Sequence, residues 1–166
     1  MHDFLRNLPK VELHLHIEGS LEPELMFALA QRNHIDLPYA SVQEAKDAYH
    51  FSDLQGFLNL YFQGMNVLRN EEDFYDLAMD YFKRARGEGV VHIDMHFDPQ
   101  AHLQRGVPLE VVMAGLLKAK QEAEETLDLS IGMIMAFLRD RPADEALHVL
   151  EQAAPYWKML DAVGLD

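Results

Sequence analysis

The chain has 166 residues, 49 % hydrophobic and 25 % charged, which is the composition of a folded globular domain and excludes disordered and collagen-like chains. Asp and Glu number 28 against 14 Lys and Arg, so the net charge is −14. A field of this sign repels phosphate backbones and anionic lipid, and we therefore expect neither nucleic acid nor a membrane surface as a partner.

Strand-like and helix-like patterns alternate along the chain. Strict apolar–polar alternation from Val11 to Glu18 predicts a first strand, which Gly19 ends. Further strands are predicted over 90–98 and 129–138, with a fourth beginning at Val163. The intervening segments predict helices over 20–33 (Ser20 as N-cap), 54–68, 71–87, 108–126 and 142–160, the last broken near Pro155.

This order predicts an α/β fold with parallel strands and right-handed crossovers. A doubly wound sheet and a (β/α)8 barrel both fit, and a helical excursion at about 34–70 separates the first two strands. No Gly-rich phosphate-binding motif follows the first strand. A complete barrel needs about 250 residues, more than the chain contains.

Two histidines stand at the end of the first strand. His14 and His16 are two residues apart, so a strand directs both imidazoles to one face, where together they can bind a divalent metal. The alternative is two partly buried histidines bonded to their neighbours. A catalytic zinc usually takes three protein ligands and a water, so two histidines alone are an incomplete zinc site.

The segment Pro9–Ser20 (PKVELHLHIEGS) closely resembles the first strand of the adenosine/adenine deaminase family, a branch of the amidohydrolase superfamily. The helix opening Leu21–Leu25 and the segment Phe97–Gln100 (FDPQ) continue the resemblance, which runs to Asp166. Glu18 stands where adenosine deaminases usually carry Asp, and this feature resembles the adenine deaminase branch.

The resemblance implies a (β/α)8 barrel of the metal-dependent hydrolase type, with three βα units and the start of strand 4 in this chain. It also implies one catalytic zinc ion, which activates water for attack on C6 of the purine. Adenine would give hypoxanthine and ammonia, in purine salvage; adenosine deamination to inosine is the alternative. We expect a cytoplasmic protein, since no signal peptide or membrane span is visible, and a homo-oligomer is compatible with it.

Site residues follow from the same resemblance. His14 and His16 correspond to the first two zinc ligands, whereas Glu18, Gly19, Phe57 and Asp166 correspond to positions near the substrate. We hypothesise that the longer Glu18 fills the space of a ribose and so favours the free base. For Phe57 and the neighbouring apolar residues of the excursion, ordinary helix packing is the alternative interpretation.

The family's remaining zinc ligands and its proton-shuttle glutamate lie in a His-Ala-Gly-Glu motif and a Ser-Asp-Asp-type motif, neither of which occurs here. No catalytic residue is therefore predicted within 1–166, and we expect the chain alone to be inactive. Two hypotheses follow: the chain is part of a longer deaminase, or it is a non-catalytic half-barrel that associates with another chain.

Three further patterns in the sequence have more than one interpretation. His16-Ile17-Glu18 matches the His-x-Glu of cytidine-type zinc deaminases, but those also need two cysteines, and this chain has none. The second strand carries alternating polar residues that resemble a metal cluster, although a polar network is the preferred interpretation: His92, Asp94, His96 and Asp98. The acidic cluster at 122–125 is interpreted as a solvated helix face.

Overall fold

A computed structural model describes residues 4, 8–50 and 53–165. It contains one sheet of four parallel strands, each paired with the next strand in the sequence. The strands are β1 Lys10–His16, β2 Val90–Phe97, β3 Ser130–Phe137 and β4 Ala162–Leu165. The helices are α1 Pro23–Arg32, α2 Val42–Ala48, α3 Leu54–Met65, α4 Glu71–Gly87, α5 Pro99–Leu103, α6 Leu109–Thr126 and α7 Ala143–Gln152, with 3-10 turns at Ile17–Ser20 and Ala154–Met159.

The strand order decides between the two folds that the sequence leaves open. A doubly wound sheet reverses its strand order at a switch point, whereas successive strands of a (β/α)8 barrel always lie side by side. The order β1-β2-β3-β4 has no reversal. The prediction of an α/β fold of the barrel type is thus confirmed for the four strands present.

The hydrophobic core lies between the sheet and helices α4 and α6. Ile93, Met95 and Met133 of β2 and β3 are completely buried, as are aromatic and aliphatic residues along both helices. A Cβ added to Gly115 of α6 would lie 2.3 Å from the carbonyl oxygen of Glu71. The glycine therefore allows the backbones of α4 and α6 to approach more closely than any side chain would permit.

The first strand is shorter than its alternation predicts. β1 ends at His16, and its pairing with β2 shifts register between Glu12 and Leu15. Ile17 and Glu18 follow in the 3-10 turn and are both buried, which two successive residues of a one-sided strand cannot be. The prediction that the strand continues to Glu18 is wrong, and Glu18 leaves the face that His14 and His16 share.

Other boundaries differ for local reasons. Ser20 does not cap α1, because its hydroxyl donates to the Ile17 carbonyl inside the 3-10 turn, and Glu22 is the N-cap instead. Helix α2 lies in a segment that the sequence left irregular, and Ser41 caps it by accepting the amide of Glu44. The short helix α5 is also absent from the predicted elements. Within the described ranges, every helix is too short or too polar to cross a lipid bilayer.

The side chain of Asp73 joins the two ends of the helical excursion. Its buried carboxylate accepts hydrogen bonds from the Arg32 guanidinium at 3.0 Å, the Asn33 amide at 2.7 Å, and the backbone amides of Arg69 and Asn70, each at 2.9 Å. These donors come from the end of α1 and from the loop that enters α4. One side chain therefore joins two segments and caps a helix.

We expect Asp73→Ala to lower the free energy of unfolding by about 2–4 kcal/mol, because it removes a helix cap and leaves several buried donors without an acceptor. Urea unfolding followed by circular dichroism measures the loss. Glu72→Ala is the matched control: its side chain is 71 % exposed, and less than about 1 kcal/mol is expected. Equal losses in the two variants would contradict the role given to Asp73.

Candidate active site

A cavity of about 450 Å³ opens where β1 and β2 end, on the side of the sheet where (β/α)8 barrels carry their active sites. Residues at and just beyond the strand ends form its floor, and α3 of the excursion forms one wall. The lining residues are His14, Leu15, His16, Gly19, Phe57, Leu58, Tyr61, Phe62, Asp98 and Leu138. Its size is that of a small-molecule site, mostly apolar with a few polar groups.

The structure brings the two predicted histidines together. The ring centroids of His14 and His16 are 5.4 Å apart. His96 of β2 lies beside them, and its ring stacks on that of His14 with centroids 4.1 Å apart and an angle of 11° between the planes. The stacking presents a ring face of His96 to His14, so His96 supports the orientation of His14.

Asp98, the residue after β2, orients His16. Its Oδ1 atom lies 2.9 Å from His16 Nδ1, and its Oδ2 atom accepts a hydrogen bond of 2.6 Å from the Tyr61 hydroxyl. Because a carboxylate only accepts, Nδ1 carries the proton and the lone pair of His16 is on Nε2. A carboxylate behind an imidazole in this way is the usual arrangement for a metal-binding histidine.

A second buried carboxylate lies behind the first. Glu18 Oε1 accepts hydrogen bonds from the backbone amide of Asp98 at 2.9 Å and from His102 Nε2 at 2.8 Å. The side chains of Glu18 and His102 are both completely buried. Arg105 Nη2 lies 2.5 Å from the other ring nitrogen of His102, and burial lowers the pKa of the Arg105 guanidinium to about 10.

Two groups of side chains are candidates for holding a metal ion. Ligand atoms of His16, Glu18 and Asp98 lie within 4.8 Å of one another. Both carboxylates, however, already accept N–H or O–H donors that a cation between them would displace. The imidazoles of His14 and His16 fit an ion better, because Asp98 already holds His16 in the required tautomer.

Four side chains of α3 form one wall of the cavity, and three of them are aromatic: Phe57, Leu58, Tyr61 and Phe62. Phe57 and Tyr61 lie one turn apart with ring centroids separated by 5.9 Å, and Phe57 is 36 % exposed, so it faces the cavity rather than the core. Gly19 lies under Tyr61: a Cβ there would be 3.3 Å from the Tyr61 ring. A flat apolar wall opposite polar groups suits a planar heterocycle.

The predicted site residues thus separate into three groups. His14, His16, Gly19 and Phe57 line the cavity, whereas Glu18 lies behind its floor. Asp166 lies outside the described residues. Among the alternating polar residues at 92–98, His92 Nε2 lies 3.1 Å from Asp94 Oδ1, whereas His96 stacks on His14 and Asp98 bonds a predicted metal ligand.

The sequence does not indicate the roles of Asp98 and His102 in the site. The resemblance places Tyr61, with Phe57, on the excursion that caps the pocket in the family, but does not indicate its hydrogen bond to Asp98. For Asp98 a signal was available, because it directly follows a buried strand at the same sheet edge as His16. His102 carries no such signal, since it lies within a helix among residues of ordinary packing.

Comparison with known proteins places this geometry in a family. A family model described as adenosine deaminase matches residues 9–166. An adenine deaminase of Ectopseudomonas mendocina is 54 % identical over 166 residues, which are all of this chain and 53 % of that protein. An adenine deaminase of Acinetobacter baylyi is 56 % identical over 164 residues, which are 99 % of this chain and 49 % of that protein.

The crystal structure of an adenine deaminase from Arthrobacter aurescens superposes with a TM-score of 0.92 at 48 % sequence identity, covering 95 % of this chain and 48 % of that one. The chain spans about half the length of the curated relatives it matches. The family model, the relatives and the crystal structure each match nearly the whole length of the chain, which therefore belongs to the adenosine deaminase family.

Proposed function

We propose that the chain contributes one half of the active site of an enzyme that deaminates adenine by hydrolysis, giving hypoxanthine and ammonia. The observation that carries the proposal is the pair His14 and His16, held by Asp98 at the floor of an apolar cavity. The relatives named adenine deaminase, at more than half identity, support the same substrate.

The residues of this chain bind and orient. Phe57, Leu58 and Phe62 offer an apolar surface against which the purine ring stacks, and Gly19 leaves room beneath Tyr61. Tyr61 and Asp98 hold His16 in place, so the polar floor is preorganised before substrate enters. The apolar wall excludes bulk water from the ring.

His14 and His16 are the residues that would hold a zinc ion, with further ligands supplied from outside residues 1–166. When bound, zinc supplies Lewis-acid activation of water. The zinc-dependent route, and a role in purine salvage in the cytoplasm, belong to the same proposal. Loss of ammonia balances the addition of water, because one C–N bond breaks as one C–O bond forms.

We expect His14→Ala and His16→Ala to lose both bound metal and adenine turnover, the latter by more than about 100-fold, because each removes a ligand and not only its support. Elemental analysis of the purified intact protein, beside the ultraviolet decrease of adenine, measures both losses.

His148→Ala is the matched control for these variants, since His148 is exposed on α7 and contacts Gln152. It should bind metal and turn over adenine as the unaltered protein does. Full activity of a preparation freed of metal would contradict the proposed mechanism.

Glu18 bears on the choice between adenine and adenosine. It lines, with Gly19, a small cavity of about 20 Å³ next to the main one. Shortening the side chain by one methylene in Glu18→Asp enlarges this space, and we expect the ratio of kcat/KM for adenosine to that for adenine to rise. Parallel assays with both substrates measure the ratio; an unchanged ratio would refute the role of Glu18 in substrate preference.

The two outer strands favour association of the chain when it is alone. Val11 and Leu13 of β1 and Val163 and Leu165 of β4 are each more than half exposed, and both strands have an open edge within the described sheet. Such edges pair with other chains.

We therefore expect residues 1–166, expressed alone, to elute as oligomers in size-exclusion chromatography with light scattering. A double variant, Leu13→Lys with Val163→Lys, should shift the population toward monomer because it places charge on both strands. A monodisperse monomer of the unaltered chain would contradict this expectation.

A further inference from the structure

Arg105, His102 and Glu18 form a hydrogen-bonded series behind the site, and its geometry determines the tautomer of His102. An Arg guanidinium has donors only, so the short contact between Arg105 Nη2 and His102 Nδ1 requires a lone pair on Nδ1. His102 is then the neutral tautomer with its proton on Nε2, and it donates to Glu18 Oε1 at 2.8 Å. His102 thus joins the half-buried Arg105 guanidinium to the buried Glu18 carboxyl group without adding a charge of its own.

The oxygen of Glu18 that accepts from His102 makes a second contact, which connects it to the site. Oε1 also accepts the backbone amide of Asp98 at 2.9 Å, which holds the residue whose carboxylate bonds His16. The phenyl ring of Phe74, edge-on with its centroid 4.8 Å from that of His102, limits rotation of the imidazole. The path from Arg105 to His16 therefore consists of side chains with little freedom to move.

We propose that His102 is a positioning residue of the active site, which holds Glu18 and, through it, Asp98 in the geometry that orients His16 for metal. The inference rests on the proposed deaminase function for its activity readout, but its effect on metal affinity stands independently. His102 lies outside the cavity and does not contact substrate. Its contribution is to keep a buried carboxylate from rotating away from the Asp98 amide.

Three substitutions of His102 in the intact protein test the proposal. His102→Gln keeps an N–H donor at about the reach of Nε2, His102→Asn places it too short, and His102→Leu removes it. Zinc affinity by chelator competition, kcat and KM for adenine, and the thermal midpoint are measured for each. His148→Gln serves as the matched control on the surface.

We expect His102→Leu and His102→Asn to weaken zinc affinity and to lower kcat, each by about 10-fold or more, with a smaller change in KM. His102→Gln should recover most of both losses. If His102→Leu does not fold, the comparison of Gln with Asn decides, because both are neutral amides and differ only in reach.

Zinc affinity and kcat equal to those of the unaltered protein in His102→Leu or His102→Asn would overturn the proposal. The same holds if the thermal midpoint alone falls, or if Gln restores nothing relative to Asn. An unaltered protein that binds zinc but leaves adenine intact would refute the proposed function. The effect of the His102 substitutions on zinc affinity could still be measured and would still test the role of His102. An unaltered protein that binds no zinc would overturn both.

Discussion

The carboxylate of Asp98 is the point at which the parts of the site meet. It is buried at the end of β2, and a buried carboxylate is stable only when hydrogen-bond donors surround it. Its two oxygens take one donor from His16, 82 residues away in the sequence, and another from Tyr61, 37 residues away. Satisfying one charge thus holds the first strand and the excursion helix α3 in a fixed relation to the second strand.

A cavity with two different sides follows from that arrangement. The strands contribute polar groups at their ends, because that is where side chains leave the packed interior of a barrel. The excursion contributes Phe57 and its neighbours from one side of α3, and the Tyr61–Asp98 bond sets how far this helix stands from the strands. The two oxygens of Asp98 therefore set two things: one fixes the orientation of His16, and the other fixes the distance of α3 from the strands and so the width of the cavity.

A second set of polar and charged side chains lies behind the floor of the cavity. Glu18 and His102 are fully buried, and a lone ion there would be costly. Arg105 lies at the far side of His102, so a guanidinium and a carboxyl group stand on either side of one imidazole. Oε1 of Glu18 has two donors, whereas Oε2 of the same carboxyl group is buried without a hydrogen-bond partner among the described residues.

Local pattern was sufficient for most of the fold, because α4, β2 and α6 each have one apolar side at a regular spacing and β3 is a short run of almost wholly apolar residues. It failed where tertiary contacts override that spacing. The alternation of β1 continues through Glu18 in the sequence, yet a 3-10 turn begins after His16, since Glu18 gains buried donors from the Asp98 amide and from His102. Gly115 is a second example. In the sequence a glycine within a helix is only unfavourable for that helix, and its close contact with α4 in the structure explains why a glycine stands there.

The sequence by itself determined the strand–helix order, the placement of His14 and His16 on one face, and the family resemblance, because each depends on residues close together in the chain. Only the tertiary structure decided that the strands lie in barrel order, that Asp98 stands behind His16, and that His102 stands behind Glu18. Those contacts join residues about 80 positions apart, and no local period encodes which buried donor meets which carboxylate.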